Sequence, residues 1–266
     1  MPDTIELNAN RPIPAQAVGS RPIFLSAQWR NLVVLNFEIE ARRLQHLLPR
    51  GTELDTYEGR SFVSMVGFQF LDTRLFGWSI PGHRHFEEVN LRFYVWRDVA
   101  GERRRGVVFV KELVPRVAVA KVARWVYNEN YSTLPMRHSL AIDSANGCLP
   151  HEVAYEWRRG RSWDRLAVRV EPESWSQPAP DSLDEFIIEH YWGYSVQRDG
   201  GTMEYEVSHP GWRIAPAVAA EFNCDARALY GSAFAAALAA RPASAFLVDG
   251  SAVEVHQGTR LRWESI

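Results

Sequence analysis

From Phe86 to Val95 the chain reads FEEVNLRFYV, and polar and apolar positions alternate. Glu88, Asn90, Arg92 and Tyr94 share one face of the predicted strand, while Val89, Leu91, Phe93 and Val95 share the other, because successive strand side chains point to opposite sides. Strand signals recur in QWRNLVVLNFEIE (28–40) and in TELDTYEGRSFVSMVGFQFLDTRLF, which predicts two strands around Glu58-Gly59-Arg60. In the second of these, Phe62, Val66, Phe68 and Phe70 face one side and Val63, Met65 and Leu71 the other, so both sides are buried. GVVFVKEL (106–113), MRHSLAID, HEVAYEWRRG, WDRLAVRVEP and HYWGYSVQ follow, then two strands after Gly200-Gly201 and a closing hairpin turned at Asp249-Gly250.

Helical signals are few. ARRLQHLLP predicts a short helix ending before Pro49, with Leu44, Leu47 and Leu48 on its apolar side. Pro115 opens RVAVAKVARWVYN, a largely buried helix whose polar stripe is Lys121, Arg124 and Asn128. Asp181 or Ser182 caps LDEFIIEH, and LYGSAFAAALAARP is an Ala-rich helix stopped by Pro242. Residues 1–22 hold four prolines and little periodicity, which predicts an extended arm ahead of a single domain over residues 23–266.

With 46% hydrophobic and 23% charged residues the composition is that of a soluble globular chain. All-β folds reach this length undivided. A net charge of -2 points away from nucleic acid, which leaves a basic stripe. The run Arg103, Arg104, Arg105 is placed at a hairpin tip. Cys148 and Cys224 are too far apart for CxxC spacing, so no disulfide framework or zinc site is expected. The location is expected to be cytoplasmic, without signal peptide or membrane span. His83, His85 and Glu87 stand in alternate positions that a metal can use, but the spacing departs from the cupin pattern and loop histidines are the preferred reading; no metal and no cofactor are expected. No repeat, P-loop, GxGxxG or nucleophile elbow occurs.

Two lysines, Lys111 and Lys121, stand among 30 basic residues, so imine chemistry has two side-chain candidates. By parity Lys111 follows Val107 and Phe109, and Glu112 follows Val108 and Val110. The polar row of Glu88, Asn90, Arg92 and Tyr94 is open to two readings: a solvated sheet face, or the lumen of a closed barrel where these groups converge on a ligand.

FEEVNLRFYV, GVVFVKELVPR, AKVARWVYNENY and LPMRH together resemble the YqjF-like family of domain of unknown function 2071, similar in fold to acetoacetate decarboxylase. The resemblance runs from about Trp29 to the last strands. It implies a mainly β fold: a closed antiparallel β barrel of the acetoacetate decarboxylase-like type, helices packed outside and a polar-mouthed cavity inside. It also implies a comparison of sites. The decarboxylases carry Pro-Lys-Lys, the first lysine forming an imine and the second depressing its pKa. Here the comparable run is Glu129 to Arg137, with Met136 at the nucleophile's place. A thioether cannot condense with a carbonyl, and Arg137 stays protonated.

Three hypotheses follow. The first is a small-molecule cavity for an organic acid or carbonyl compound. In it Asn90, Arg92, Glu129, Tyr131, Met136 and Arg137 contact the ligand, and Glu88 and Tyr94 act as acid/base or orienting groups. The second is a lyase-like enzyme using a relocated lysine, Lys111 or Lys121, with its pKa lowered by burial. The third is a structural or interaction protein whose barrel is filled by its own aromatics. Oligomeric state stays open.

Overall fold

The computed structural model describes residues 21–117, 128–142 and 149–262. The predicted arm (except Arg21 and Pro22), most of the predicted buried helix with Lys121 and Arg124, and Cys148 lie outside the described residues. The protein is mainly β. Its first strand, β1 (Ile23–Ile39), pairs on one side with β3 (Ser61–Leu75) and on the other with β14 (Ser244–His256). From β3 the pairing passes to β5 (Phe86–Val99), β6 (Glu102–Val114), β11 (Trp192–Val196) and β12 (Thr202–Ser208). A short antiparallel contact, Val207 opposite Val255, then joins β12 to β14, so the pairings return to their start.

The other strands lean on this ring. β8 (Met136–Ile142), β9 (Pro150–Arg159), β10 (Ser162–Val170) and β13 (Ile214–Asn223) form an antiparallel layer joined to the ring through β13 and β14. The short strands β2 (Glu53–Leu54), β4 (Trp78–Ser79), β7 (Tyr131–Thr133) and β15 (Thr259–Arg260) add to β5, β3, β6 and β12.

Alternation sorts the apolar residues into two clusters. Val63, Met65, Val89, Leu91, Phe93 and Val95 pack outward against Tyr155, Trp157 and Leu166 of the second layer. Phe62, Val66, Phe68, Phe70, Phe86 and Tyr94 pack inward. Both sides of β3 are buried, as its sequence predicts, and Glu88 and Asn90 are 3% and 2% exposed. The polar row of β5 is therefore not a solvated face.

Several local expectations need correction. β2 pairs with β5 rather than forming a hairpin with β3. The turn between β5 and β6 is the two residues Ala100 and Gly101, both at positive φ, so Arg103, Arg104 and Arg105 lie inside β6 instead of at its tip. A two-residue turn of this hand matches the twist of the strands it joins. ARRLQHLLP forms two 3-10 turns, Ala41–Arg43 and Gln45–Leu47. The Ala-rich stretch splits into α2 (Ala226–Tyr230) and α3 (Ser232–Leu238) at Gly231, whose φ of 89° ends the first.

SAFLVDGSAVEVH is one strand, not a hairpin. Gly250, at φ 74°, lets β14 press against β1, where a Cβ would lie 2.1 Å from the carbonyl oxygen of Trp29. α1 (Leu183–Ile188) is capped by Ser182, as expected, but Phe186, Ile187 and Ile188 join the inner cluster, so this helix stops the ring from within. α2 and α3 pack outside, as do the 3-10 turns with Leu44, Leu47 and Leu48. Among the described residues no helix is long and apolar enough to cross a membrane.

Candidate functional site

Inside the ring is a cavity of about 170 Å³ with residues from all seven ring strands in its wall. An engineered void of roughly 150 Å³ is enough to take up benzene, so the ring is not filled by its own side chains. Phe24, Trp29, Phe68, Phe70, Phe86 and Trp212 make much of the wall apolar; Ile80, 40% exposed, and His83 mark its mouth.

The polar floor comes from β5, β6 and the segment entering β7. Glu88, Asn90 and Arg92 project inward from β5. On β6 the decisive feature is a bulge: Leu91 stands opposite Lys111 but Arg92 stands opposite Phe109, leaving Val110 as the extra residue. A bulge exchanges the faces of everything beyond it. Val107 and Phe109 face the cavity, and beyond the bulge Glu112 joins them. Lys111 is turned outward, where its Nζ donates to the carbonyl of Leu229 in the last turn of α2 at 2.8 Å. The parity that grouped Lys111 with Val107 and Phe109 is thus overturned, and with it the placement of Lys111 as a cavity nucleophile.

Glu129 and Tyr131 also line the cavity. Three carboxyls, those of buried Glu88 and Glu112 and of half-buried Glu129, therefore line one cavity. Asn90 Nδ2 donates to Glu88 Oε1 at 3.0 Å, and the Tyr131 hydroxyl to Glu88 Oε2 at 3.2 Å. The Tyr205 hydroxyl donates to Glu129. Tyr205 reaches it by lying across Gly193, its partner in the β11–β12 ladder, where a Cβ would fall 2.1 Å from the ring. Burial pushes Glu88 up to about 7 and Glu129 up to about 8. Glu112 is held well above the usual carboxylate range, by burial first and then by the charges of Glu129 and Glu88.

The charge of Arg92 acts on Glu88, and among the described residues Arg92 has no hydrogen-bonded or ion-paired partner; its Nε is buried without an acceptor. Asn90 Oδ1 and Glu112 Oε2 are likewise buried without a donor. Unpaired polar atoms in a folded protein are rare and ask for an explanation.

The remaining candidates fall elsewhere. Tyr94 shares the inward face but lies beneath the cavity wall, its hydroxyl 2.5 Å from Ser64 Oγ, which in turn donates to Asn36. Its ring supports Arg92 and His190, at 5.7 and 4.6 Å. Met136 packs against the outer cluster, and Arg137 is an exposed partner of Glu156 stacked on Trp163. Neither lines the cavity, because β8 belongs to the second layer. Glu87 turns outward to His138, at 2.7 Å, and His85 lies beside Asp72 at the surface. Among the described residues no His/Cys/Asp/Glu group is arranged to hold a metal.

Three wall residues carry no local signal. Glu112 was hidden by the bulge. His190 has Nε2 3.4 Å from Asp55 Oδ2, and Asp55 accepts from Arg105 at 2.7 Å. Burial pushes the His190 imidazole down to about 4, against the raising effect of Asp55. His209, stacked on Trp212 at 3.8 Å, is also lowered by burial to about 4. The contacts of Asp55 with His190 and Arg105 join positions far apart in the chain.

Comparison with known proteins agrees with this architecture. The model of the family described as an uncharacterized conserved protein, domain of unknown function 2071, matches residues 26–252. The uncharacterized protein YqjF of Bacillus subtilis (strain 168) is 37% identical over 189 residues, covering 70% of this chain and 73% of that protein. Among solved structures, the enduracididine biosynthesis enzyme MppR complexed with pyruvate superposes with a TM-score of 0.63 at 15% identity, covering 95% of each chain. An acetoacetate decarboxylase-like enzyme from Sphingomonas wittichii RW1 gives 0.60 at 14% identity, covering 94% of this chain and 98% of its own. At such identities the likeness is one of fold.

Proposed function

Because this chain belongs to the family of domain of unknown function 2071, whose fold it shares with the acetoacetate decarboxylase-like proteins, we propose that its ring of strands is a closed barrel, that residues 23–266 form one domain around it, and that the cavity binds a small organic acid non-covalently. The single-domain reading is supported by the pairing of Ile23 with His256. The observation that carries the binding reading is Arg92: a guanidinium in a mainly apolar cavity, with its Nε lacking an acceptor among the described residues. An Nε left so is a donor open to an incoming anion, and a planar carboxylate suits a guanidinium fork. The bound pyruvate of MppR is a small carboxylate in the same fold. Glu88, near pKa 7, is the group placed to exchange a proton with the bound molecule.

Calorimetric titration with pyruvate and longer 2-oxo and carboxylic acids tests this. Arg92→Met is expected to weaken binding about tenfold to a hundredfold, the range for hydrogen bonds to charged groups, with little change in Tm. Unaltered affinity in that variant would reject the anchor. Borohydride treatment in the presence of the same acids is expected to leave Lys111 unmodified.

His190 supports a second reading, in which the cavity also catalyses proton transfer on its ligand. A buried neutral imidazole close to a carboxylate is suited to act as a general base, and an anion on Arg92 would relieve one of the charges that lowers His190. Exchange of ligand C–H for deuterium in heavy water, lost in His190→Gln while binding persists, is the expected result.

A further inference from the structure

The three unpartnered atoms of the floor are of two kinds, and they are neighbours. Asn90 and Glu112 stand directly opposite one another across β5 and β6. Arg92 follows Asn90 on the same face, about 6.6 Å along the strand. Arg92 Nε can only donate. Asn90 has its amide oriented by the donation of Nδ2 to Glu88, which leaves Oδ1, an atom that can only accept. Glu112 Oε2 lies without a partner beside it in the ladder. A carboxylate alone would satisfy Arg92 and leave Asn90 Oδ1 bare, and it would give Glu112 no partner once that side chain is ionised. A carbonyl placed there would set acceptor against acceptor at Asn90.

From this complementarity, and resting on the reading of Arg92 above, we infer that the ligand is amphoteric: a carboxylate for Arg92 and, one or two carbons away, a nitrogen cation such as an ammonium for Asn90 Oδ1 and Glu112 Oε2. The surrounding donors fit this. Glu88 accepts from both Asn90 and Tyr131, and Glu129 from Tyr205, an arrangement suited to carboxylates rather than carboxylic acids. Three carboxylates lining one cavity repel each other unless protons or a cation lie among them. In the empty cavity burial keeps protons there; an arriving ammonium takes the place of a proton, so binding releases protons to the buffer. The apolar wall receives the remainder of the molecule.

Matched sets of probes built on one carbon skeleton test this on the full chain: an α- or β-amino acid, the same acid without its amine, and the same amine without its carboxylate. Phenylalanine, 3-phenylpropanoate and 2-phenylethylamine form one such set, and aliphatic sets of smaller size form others. Calorimetry at pH 7 in buffers of different ionisation enthalpy reads affinity and proton release together. The expected result is an amino acid that binds at least tenfold tighter than its deaminated partner, with net proton release. Glu112→Gln should reduce that preference to less than threefold and leave the deaminated acid unchanged. If Glu112→Gln fails to fold, the comparison within the unaltered protein still decides. An acid that binds as tightly without its amine, across the sets, overturns the amphoteric ligand and leaves the Arg92 anchor standing. Absence of binding by either acid, or binding by the amine alone, overturns both.

Discussion

Glu204 and Glu112 are each 1% exposed and lie in the same ring of strands, yet the fold treats them oppositely. Glu204 receives Arg104 and Arg97, each at 2.9 Å, with Arg21 at 4.0 Å. Among the described residues Glu112 receives no arginine; its charged neighbours there are Glu88 and Glu129, and one of its oxygens has no partner. The difference teaches that burial of a carboxylate does not itself mark a site. An acid surrounded by cations holds strands together, whereas an acid placed among acids inside a cavity is kept at the expense of stability, which makes sense only when something else is meant to bind there.

Breaking the compensated side should have the largest effect. Glu204→Leu leaves Arg97 and Arg104 facing each other and is expected to lower unfolding stability by about 3 kcal/mol, read from the midpoint and slope of urea denaturation. The uncompensated side should show itself next, in pH dependence. Glu88 and Glu129 hold protons in the folded state up to about 7 and about 8, against 4.5 in the unfolded chain. Folding is therefore favoured at low pH by these groups, and their contribution is eroded as pH rises from 4.5 towards 8. His190 and His209 act the other way, losing stability as pH falls from 6.5 to about 4, and Asp55, lowered to about 2 by His190 and Arg105 despite its burial, titrates lower still. Between pH 6.5 and 8 the carboxyls outweigh the histidines, and a fall on the order of 2 kcal/mol is expected there. Glu88→Gln with Glu129→Gln should reduce it to the part that Glu112 contributes.

Two substitutions sharpen the contrast with smaller effects. Gly193→Ala drives a methyl into the Tyr205 ring and is expected to cost about 2 kcal/mol, moving the tyrosine off Glu129 and shifting the stability–pH profile of the carboxyl group. Glu112→Leu should do the reverse of Glu204→Leu: stability unchanged or raised by about 1 kcal/mol, with the preference for an amino acid over its deaminated partner lost. A loss of stability comparable to that of Glu204→Leu would show that Glu112 is a structural acid.

Much of the fold was legible because alternation is a local property. The inward and outward sets of β5 and of the first part of β3 could be read directly, and Ser182 announced its helix. The family resemblance raised the lumen reading of Glu88, Asn90 and Arg92, and each of them does line the cavity. Errors arose where one strand's geometry depends on another. Lys111 and Glu112 were assigned by parity, and a bulge that exists only in register with Leu91 and Arg92 exchanged their faces. Met136 and Arg137 follow Tyr131 closely in sequence, but the chain crosses from the ring to the second layer between them. Gly250 looked like a turn because positive φ serves equally for a turn and for close approach of two strands.

The amino-acid sequence alone determined the class of this protein, its principal strands and the polar row of β5, since these follow from period-2 alternation and from side-chain type. Only the tertiary structure decided which charges are paired and which are left for a ligand. Asp55 with His190, Arg97 and Arg104 with Glu204, and Tyr205 with Glu129 are separated by scores of residues, and electrostatic compensation depends on distance in space, which no spacing along the chain encodes.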